Sequence, residues 1–272
     1  MSANTIDLRK LVHNDNFPRA SQYDPQWIVE NSMGPNVLWL TEWLCQTMDL
    51  RPGMRVLDMG CGKAISSIFL AREFGVRVWA TDLWIKAAEN WRRVCDAGLE
   101  NEVFPIHAEA RSLPYAEGFF DAIVCVDSYI YYGTDDLYLN YFVKHVKPEG
   151  QIGIVVPGLV RDIDGPVPEH LTRRQKSGGV FWSQDCWCFH TASWWRHLWV
   201  RTGLVDVEVA DTMPDGWRTW LQDEEARDVV GNRPFPSDAE TIEADVGRYI
   251  ALVRMVARRN TSNEEVTGDE QR

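Results

Sequence analysis

Short, almost continuously apolar runs recur along this chain with helical stretches between them. That alternation constrains the fold more than any other feature. RVLDMG, VRVWATD (76–82), VFPIHA (103–108), DAIVCVD (121–127) and QIGIVVPG read as strands. Lys63 to Phe74, about Ile85 to Ala97, and Leu137 to Val146 carry helical spacing. A strand covered on both faces shows no polar alternation, and strands separated by helices pair in parallel. The expected fold is therefore α/β, with a doubly wound, mostly parallel sheet. LVDVEVAD (204–211) and RYIALVRMVARR (248–259) supply two more strands and bring the sheet to seven. Helices in residues 1–50 and insertions at about 158–190 and 212–245 are expected to cap a domain spanning 51–259. Residues 260–272 are expected to form a disordered, solvated tail.

The most informative stretch is VLDMGCGKA (56–64), which ends the first strand and opens a helix. In doubly wound sheets ligands bind at that place. Gly60 and Gly62 let the backbone turn tightly and come close to a ligand. Two better-known glycine loops are excluded by particular residues. A phosphate-cradling loop needs a glycine where Leu57 stands and a Ser or Thr where Ala64 stands. A dinucleotide fingerprint needs Gly or Ala where Ile65 stands. What remains is an acid two places before the first glycine, Asp58, and a second acid ending the next strand, Asp82.

This arrangement resembles the class I S-adenosylmethionine-dependent methyltransferases over roughly residues 20–210. Their D-x-G-x-G-x-G pattern is matched at Asp58, Gly60 and Gly62, with Ala64 replacing the last glycine. The resemblance implies S-adenosyl-L-methionine as cofactor, with Asp58 near its methionine amine and Gly60, Cys61 and Gly62 against it. It implies that Asp82, followed by Leu83, accepts both ribose hydroxyls, for which a carboxylate is a suitable bidentate partner. Glu109, where the family usually has Asp, and the Ala110 amide are implied to reach the adenine amino group. Asp127 is implied to lie under the methyl donor, and MGPN (33–36), with Gly34, resembles a segment that lies over the cofactor. The pattern is similar to the small-molecule branch, including ubiquinone/menaquinone C-methyltransferase-like (methyltransferase type 11) and cyclopropane-fatty-acid-synthase-like groups.

Methyl transfer needs a nucleophile held in line with the methyl group and water excluded; a base is needed only where the nucleophile must lose a proton. Reaction-side candidates are His190, Tyr129 and Asp127. Tyr129, Tyr132, Trp182, Trp187 and His190 are expected to line a Trp/Tyr-rich acceptor pocket suited to an aromatic or an amine. Each also has a structural reading, as lid core or as a histidine bonded beneath the cap. Cys186, Cys188 and His190 alternate, so an extended backbone would point all three one way. Structural zinc sites use pairs separated by two to four residues, and no second pair exists here, so no metal is expected. Thr191 reads instead as the N-cap of a helix beginning with Trp194 and Trp195.

A formal charge of −12 disfavours nucleic acid as the main partner, since phosphate binding needs a basic face. No run of about 18 apolar residues is present to span a bilayer, and the first residues lack the plan of a secretory signal. A cytoplasmic enzyme with a small-molecule substrate is the expectation, with oligomeric state, including a homodimer, left open. The alternatives are a catalytically silent S-adenosylmethionine-binding regulator, or a nucleic-acid or arsenite methyltransferase.

Overall fold

The computed structural model describes residues 7–261 except 232 and 234; the expected tail beyond 261 lies outside the described residues. In chain order the elements are α1 (Leu8–Val12), α2 (Pro25–Asn31), α3 (Val37–Cys45), β1 (Arg55–Met59), α4 (Ile65–Phe74), β2 (Arg77–Asp82) and α5 (Ala87–Asp96). There follow β3 (Val103–His107), β4 (Phe120–Val126), α6 (Tyr138–Phe142), β5 (Val146–Leu159), α7 (Glu169–Thr172) and α8 (Ala192–Val200). The chain then forms β6 (Val205–Thr212), α9 (Gly216–Val230), α10 (Ala239–Asp245) and β7 (Ile250–Arg259).

The strands form one seven-stranded sheet in the order β3-β2-β1-β4-β5-β7-β6. β1 through β5 pair in parallel, and β7 runs antiparallel between β5 and β6. The strand order reverses between β1 and β4, so the loops after these two strands open a crevice at their carboxyl ends. Val56, Leu57, Val78, Ile123, Val124 and Cys125 are wholly buried, which explains their continuous apolar patterning.

Two departures from the sequence reading matter for the site. Residues 184–188 form a 3-10 turn rather than an extended run. The Cys186 thiol donates to the Phe181 carbonyl at 3.1 Å and the Cys188 thiol to the Asp185 carbonyl at 2.7 Å, so the alternation argument for a shared direction does not apply. The helix expected to run to Val146 ends at Phe142 and tightens into a 3-10 turn over Val143–His145.

The cap segments are fastened to one another through side chains. The Gln175 amide donates to Asp238 at 3.0 Å and accepts from the Thr241 amide at 3.1 Å, while His170 bonds Asp245 at 2.8 Å. Thr191 is the N-cap of α8, its hydroxyl accepting from the Trp194 amide at 3.2 Å. Replacing it with alanine should cost about 1 kcal/mol. The expected result is a lower urea midpoint for Thr191→Ala with an unchanged denaturant slope.

Candidate functional site

At the carboxyl end of β1 the chain turns through Gly60 and Gly62, with φ of +72° and +52°. The three amides of this turn are engaged from behind. The Gly60 and Cys61 amides donate to the Thr81 carbonyl at 2.8 and 3.1 Å, and the Gly62 amide donates to Asp82 Oδ2 at 2.8 Å. The Gly62 carbonyl accepts from the buried Asn90 amide at 2.9 Å. Ala64 follows with φ of +60°. A residue with a Cβ costs about 1–2 kcal/mol in that conformation, which gives a physical sense to the glycine of the related pattern.

The crevice beyond this turn is a cavity of about 230 Å³. It is lined by Gly60, Cys61, Gly62, Asp82, Leu83, Glu109, Ala110 and Asp127 among the residues singled out in the sequence, and by Gly34 and Tyr132. Met33, Trp84, Arg111, Ser128, Tyr131 and Phe235 also contribute. Gly34 is the close approach that brings the N-terminal segment in: a Cβ there would stand 1.7 Å from Asp127 Oδ2.

Asp82 is nearly buried, and three backbone donors hold its carboxylate. Trp84 and Ile85 amides reach Oδ1 at 2.7 and 2.8 Å, and Gly62 reaches Oδ2. With about four lone-pair positions on a carboxylate, one remains open, on Oδ2. Glu109 accepts from the Arg111 amide at 2.8 Å and pairs with its guanidinium at 3.2 Å. The Ala110 carbonyl accepts from Tyr138 Oη at 3.0 Å, while no hydrogen bond engages the Ala110 amide among the described residues.

Asp127 follows β4 directly and has φ of +57°, uncommon for a residue with a side chain. Its amide donates to the Val155 carbonyl at 2.7 Å, but its carboxylate has no hydrogen-bond or ion-pair partner among the described residues. Burial pushes this carboxyl up to about 7, against the pull of the Arg227 guanidinium and with Asp223 adding to the rise. Arg227 is committed elsewhere: it pairs with Asp223 at 2.9 Å and with Glu224, all three nearly buried on α9. The spacing of Asp223, Glu224 and Arg227 was a readable signal for that pairing.

Five residues singled out in the sequence do not line the cavity. Asp58 points from β1 into the first turn of α4, where Oδ2 accepts from the Ser66 and Ser67 hydroxyls, each at 2.6 Å. Its Oδ1 has no partner, and burial raises the carboxyl to about 6 against those two hydrogen bonds. Tyr129 opens a 3-10 turn that swings its ring inward. It lies among Tyr132, Tyr138, Phe142, Trp195 and Trp199 at centroid distances of 5.6–5.8 Å. His190 is half-buried and stacked on Trp194, centroids 3.6 Å apart, and burial lowers its pKa. Trp182 packs against the core through its partly buried ring. Trp187 is 72% exposed and turned outward from the 3-10 turn.

Residues 56–150 match the protein family described as methyltransferase domain. Methyltransferase GfsG of Streptomyces halstedii is 32% identical over 162 residues, covering 58% of this chain and 56% of that protein. The chain thus spans about half the length of this curated relative. Among solved structures, phosphoethanolamine N-methyltransferase 2 of Haemonchus contortus in complex with S-adenosyl-L-methionine superposes with a TM-score of 0.65 at 17% identity. That match covers 96% of this chain and 62% of the other. The cyclase SpnF superposes with a TM-score of 0.60 at 19% identity, covering 81% and 80% of the two chains. Among the described residues no helix is long and apolar enough to cross a membrane.

Proposed function

From a chain whose residues 56–150 match the methyltransferase domain family, we propose an enzyme that moves the methyl group of S-adenosylmethionine to a small-molecule acceptor. The observation that carries this reading is the unpartnered Asp127 carboxylate in the same cavity as the glycine turn. The cavity residues fit the cofactor on chemical grounds. Gly60 and Gly62 leave a side-chain-free floor, the open lone pair of Asp82 suits a hydroxyl, and the Ala110 amide is a donor with no other task. With the Gly62 amide already on Oδ2, the remaining lone pair of Asp82 would be the one available to a ribose hydroxyl.

When bound, S-adenosylmethionine would supply a methyl group on a sulfonium, open to in-line attack at carbon with the neutral thioether as leaving group. Asp127 accepts the proton that the nucleophile sheds; an amine or an aromatic hydroxyl meets that requirement, and Tyr131, Tyr132 and Trp84 give the ring walls. The relative named for phosphoethanolamine N-methylation supports an amine. We read residues 51–259 as one domain acting in the cytoplasm, capped by residues 1–50 and the segments 158–190 and 212–245.

A fold shared with a cyclase does not by itself establish methyl transfer. The test is calorimetric titration with S-adenosylmethionine, followed by incubation with methyl-labelled cofactor and a panel of amines and phenols. Binding and a labelled product are expected; binding without any labelled product would favour a silent regulator. Asp82→Asn should weaken cofactor affinity by about 10–100-fold, because an amide nitrogen would face the backbone donors or abandon the hydroxyl.

A further inference from the structure

Tyr132 was expected to line the acceptor pocket, and its hydroxyl is engaged by protein atoms. It lies 2.9 Å from Ser128 Oγ and 3.1 Å from Cys125 Sγ, and these two atoms are 3.0 Å apart. Ser128 Oγ donates to the Met59 carbonyl at 2.9 Å, the last carbonyl before the glycine turn. The Ser128 proton is used on the Met59 carbonyl, so Ser128 Oγ can only accept from its two neighbours, the Tyr132 hydroxyl and the Cys125 thiol. Each hydrogen bond in this series supports the next. Burial pushes the Cys125 thiol up to about 12 and raises the Tyr132 hydroxyl well above its ordinary value, so neither titrates near neutral pH.

We propose that Ser128 and Tyr132 are positioning residues that set the shape of the glycine turn for the cofactor, an inference that rests on the methyltransferase reading. A second, independent observation places Ser128 directly against that turn: a Cβ on Gly60 would stand 2.0 Å from Ser128 Oγ and 2.4 Å from its Cβ. The Tyr132 ring is fixed for this task, packed on Tyr138 at 4.9 Å and on Tyr129 at 5.6 Å. The buried aromatic cluster around Tyr129 therefore acts on the site through Tyr132. Movement of the cavity wall at Tyr132 is transmitted to Met59 and Gly60 through two hydrogen bonds.

The experiment measures binding of S-adenosylhomocysteine by calorimetry and amide exchange at Gly60–Gly62 for Tyr132→Phe and Ser128→Ala. Tyr141→Phe is the control, since it loses a hydroxyl bonded to the Leu113 amide, away from the turn. Removing one hydrogen bond should raise the dissociation constant about 3–10-fold in Tyr132→Phe, and at least as much in Ser128→Ala, with the control within twofold. Exchange at Gly60–Gly62 should quicken in the two variants alone, and the pH dependence of turnover should stay that of the parent. Unchanged affinity and unchanged exchange, even with a lowered melting temperature, would overturn the proposal. If the parent itself fails to bind S-adenosylhomocysteine, the methyltransferase reading falls, and exchange at the turn still decides whether these residues shape it.

Discussion

Asp127→Asn is expected to lower the rate of methyl transfer by about 10²–10⁴-fold, the range lost when a positioned general base is removed. Cofactor affinity should stay within a few-fold, because the turn at Gly60–Gly62 and Asp82 is untouched. The parent should gain activity as pH rises through about 7, where the Asp127 carboxyl becomes ionised, and the variant should lose that rise. Stability supplies a second signature with a definite sign. The folded carboxyl is raised above its unfolded value of about 4, so the folded state binds the extra proton between these values. Parent stability contributed by this group falls as pH rises through that window, and the cost is fully present above about 7. Asp127→Asn carries no such charge, so it should melt higher than the parent at pH 8, with the difference fading toward pH 4. Melting curves at several pH values, read beside label transfer, check both halves. Equal turnover in parent and variant would remove Asp127 from the reaction.

The raised carboxyl is explicable only once the neighbours are known, and this marks where sequence reading stops. Glycine turn, second acid and the positions of the strands follow from local patterning, since Gly60, Gly62 and Asp82 sit at strand ends whose position hydrophobic runs define. Side-chain direction after a strand does not follow from such patterning. Tyr129 and Tyr132 are three apart, and a 3-10 turn buries the first in the core while Tyr132 borders the cavity. Asp58 lies one residue before Met59 on a strand buried from Val56 onward, and its direction is settled by Ser66 and Ser67 on α4. Two serines on the otherwise apolar face of that helix were the available signal. His190 and Trp187 depended on how the cap folds, and the 3-10 turn over Gln184–Cys188 replaced the extended run that would have aligned Cys186, Cys188 and His190. Phe235 came into the site through tertiary packing alone, with no periodicity to announce it, whereas Ser128 follows Asp127 at the end of β4.

Gly60→Ala should weaken cofactor binding by about 100-fold. Two costs add at this position. A side chain at φ of +72° costs about 1–2 kcal/mol in backbone strain. The new Cβ would also meet Ser128 Oγ and Cβ at 2.0 and 2.4 Å, and the Cβ sits at the root of the side chain, where no rotamer change relieves the overlap. Overpacking of this kind costs about 1–3 kcal/mol. Together they amount to about 2–5 kcal/mol, and each 1.4 kcal/mol that reaches the binding equilibrium is tenfold in affinity. Relief comes only by moving the turn or Ser128, and either breaks the bond to the Met59 carbonyl. Gly53→Ala separates strain from contact: it has φ of +83° but nothing within 4 Å of an added Cβ. That variant should lose about 1 kcal/mol of stability in a urea titration and keep parent affinity. If both variants bind alike, the turn at Gly60 adapts to a side chain, and its close packing on Ser128 does not govern how the cofactor is held.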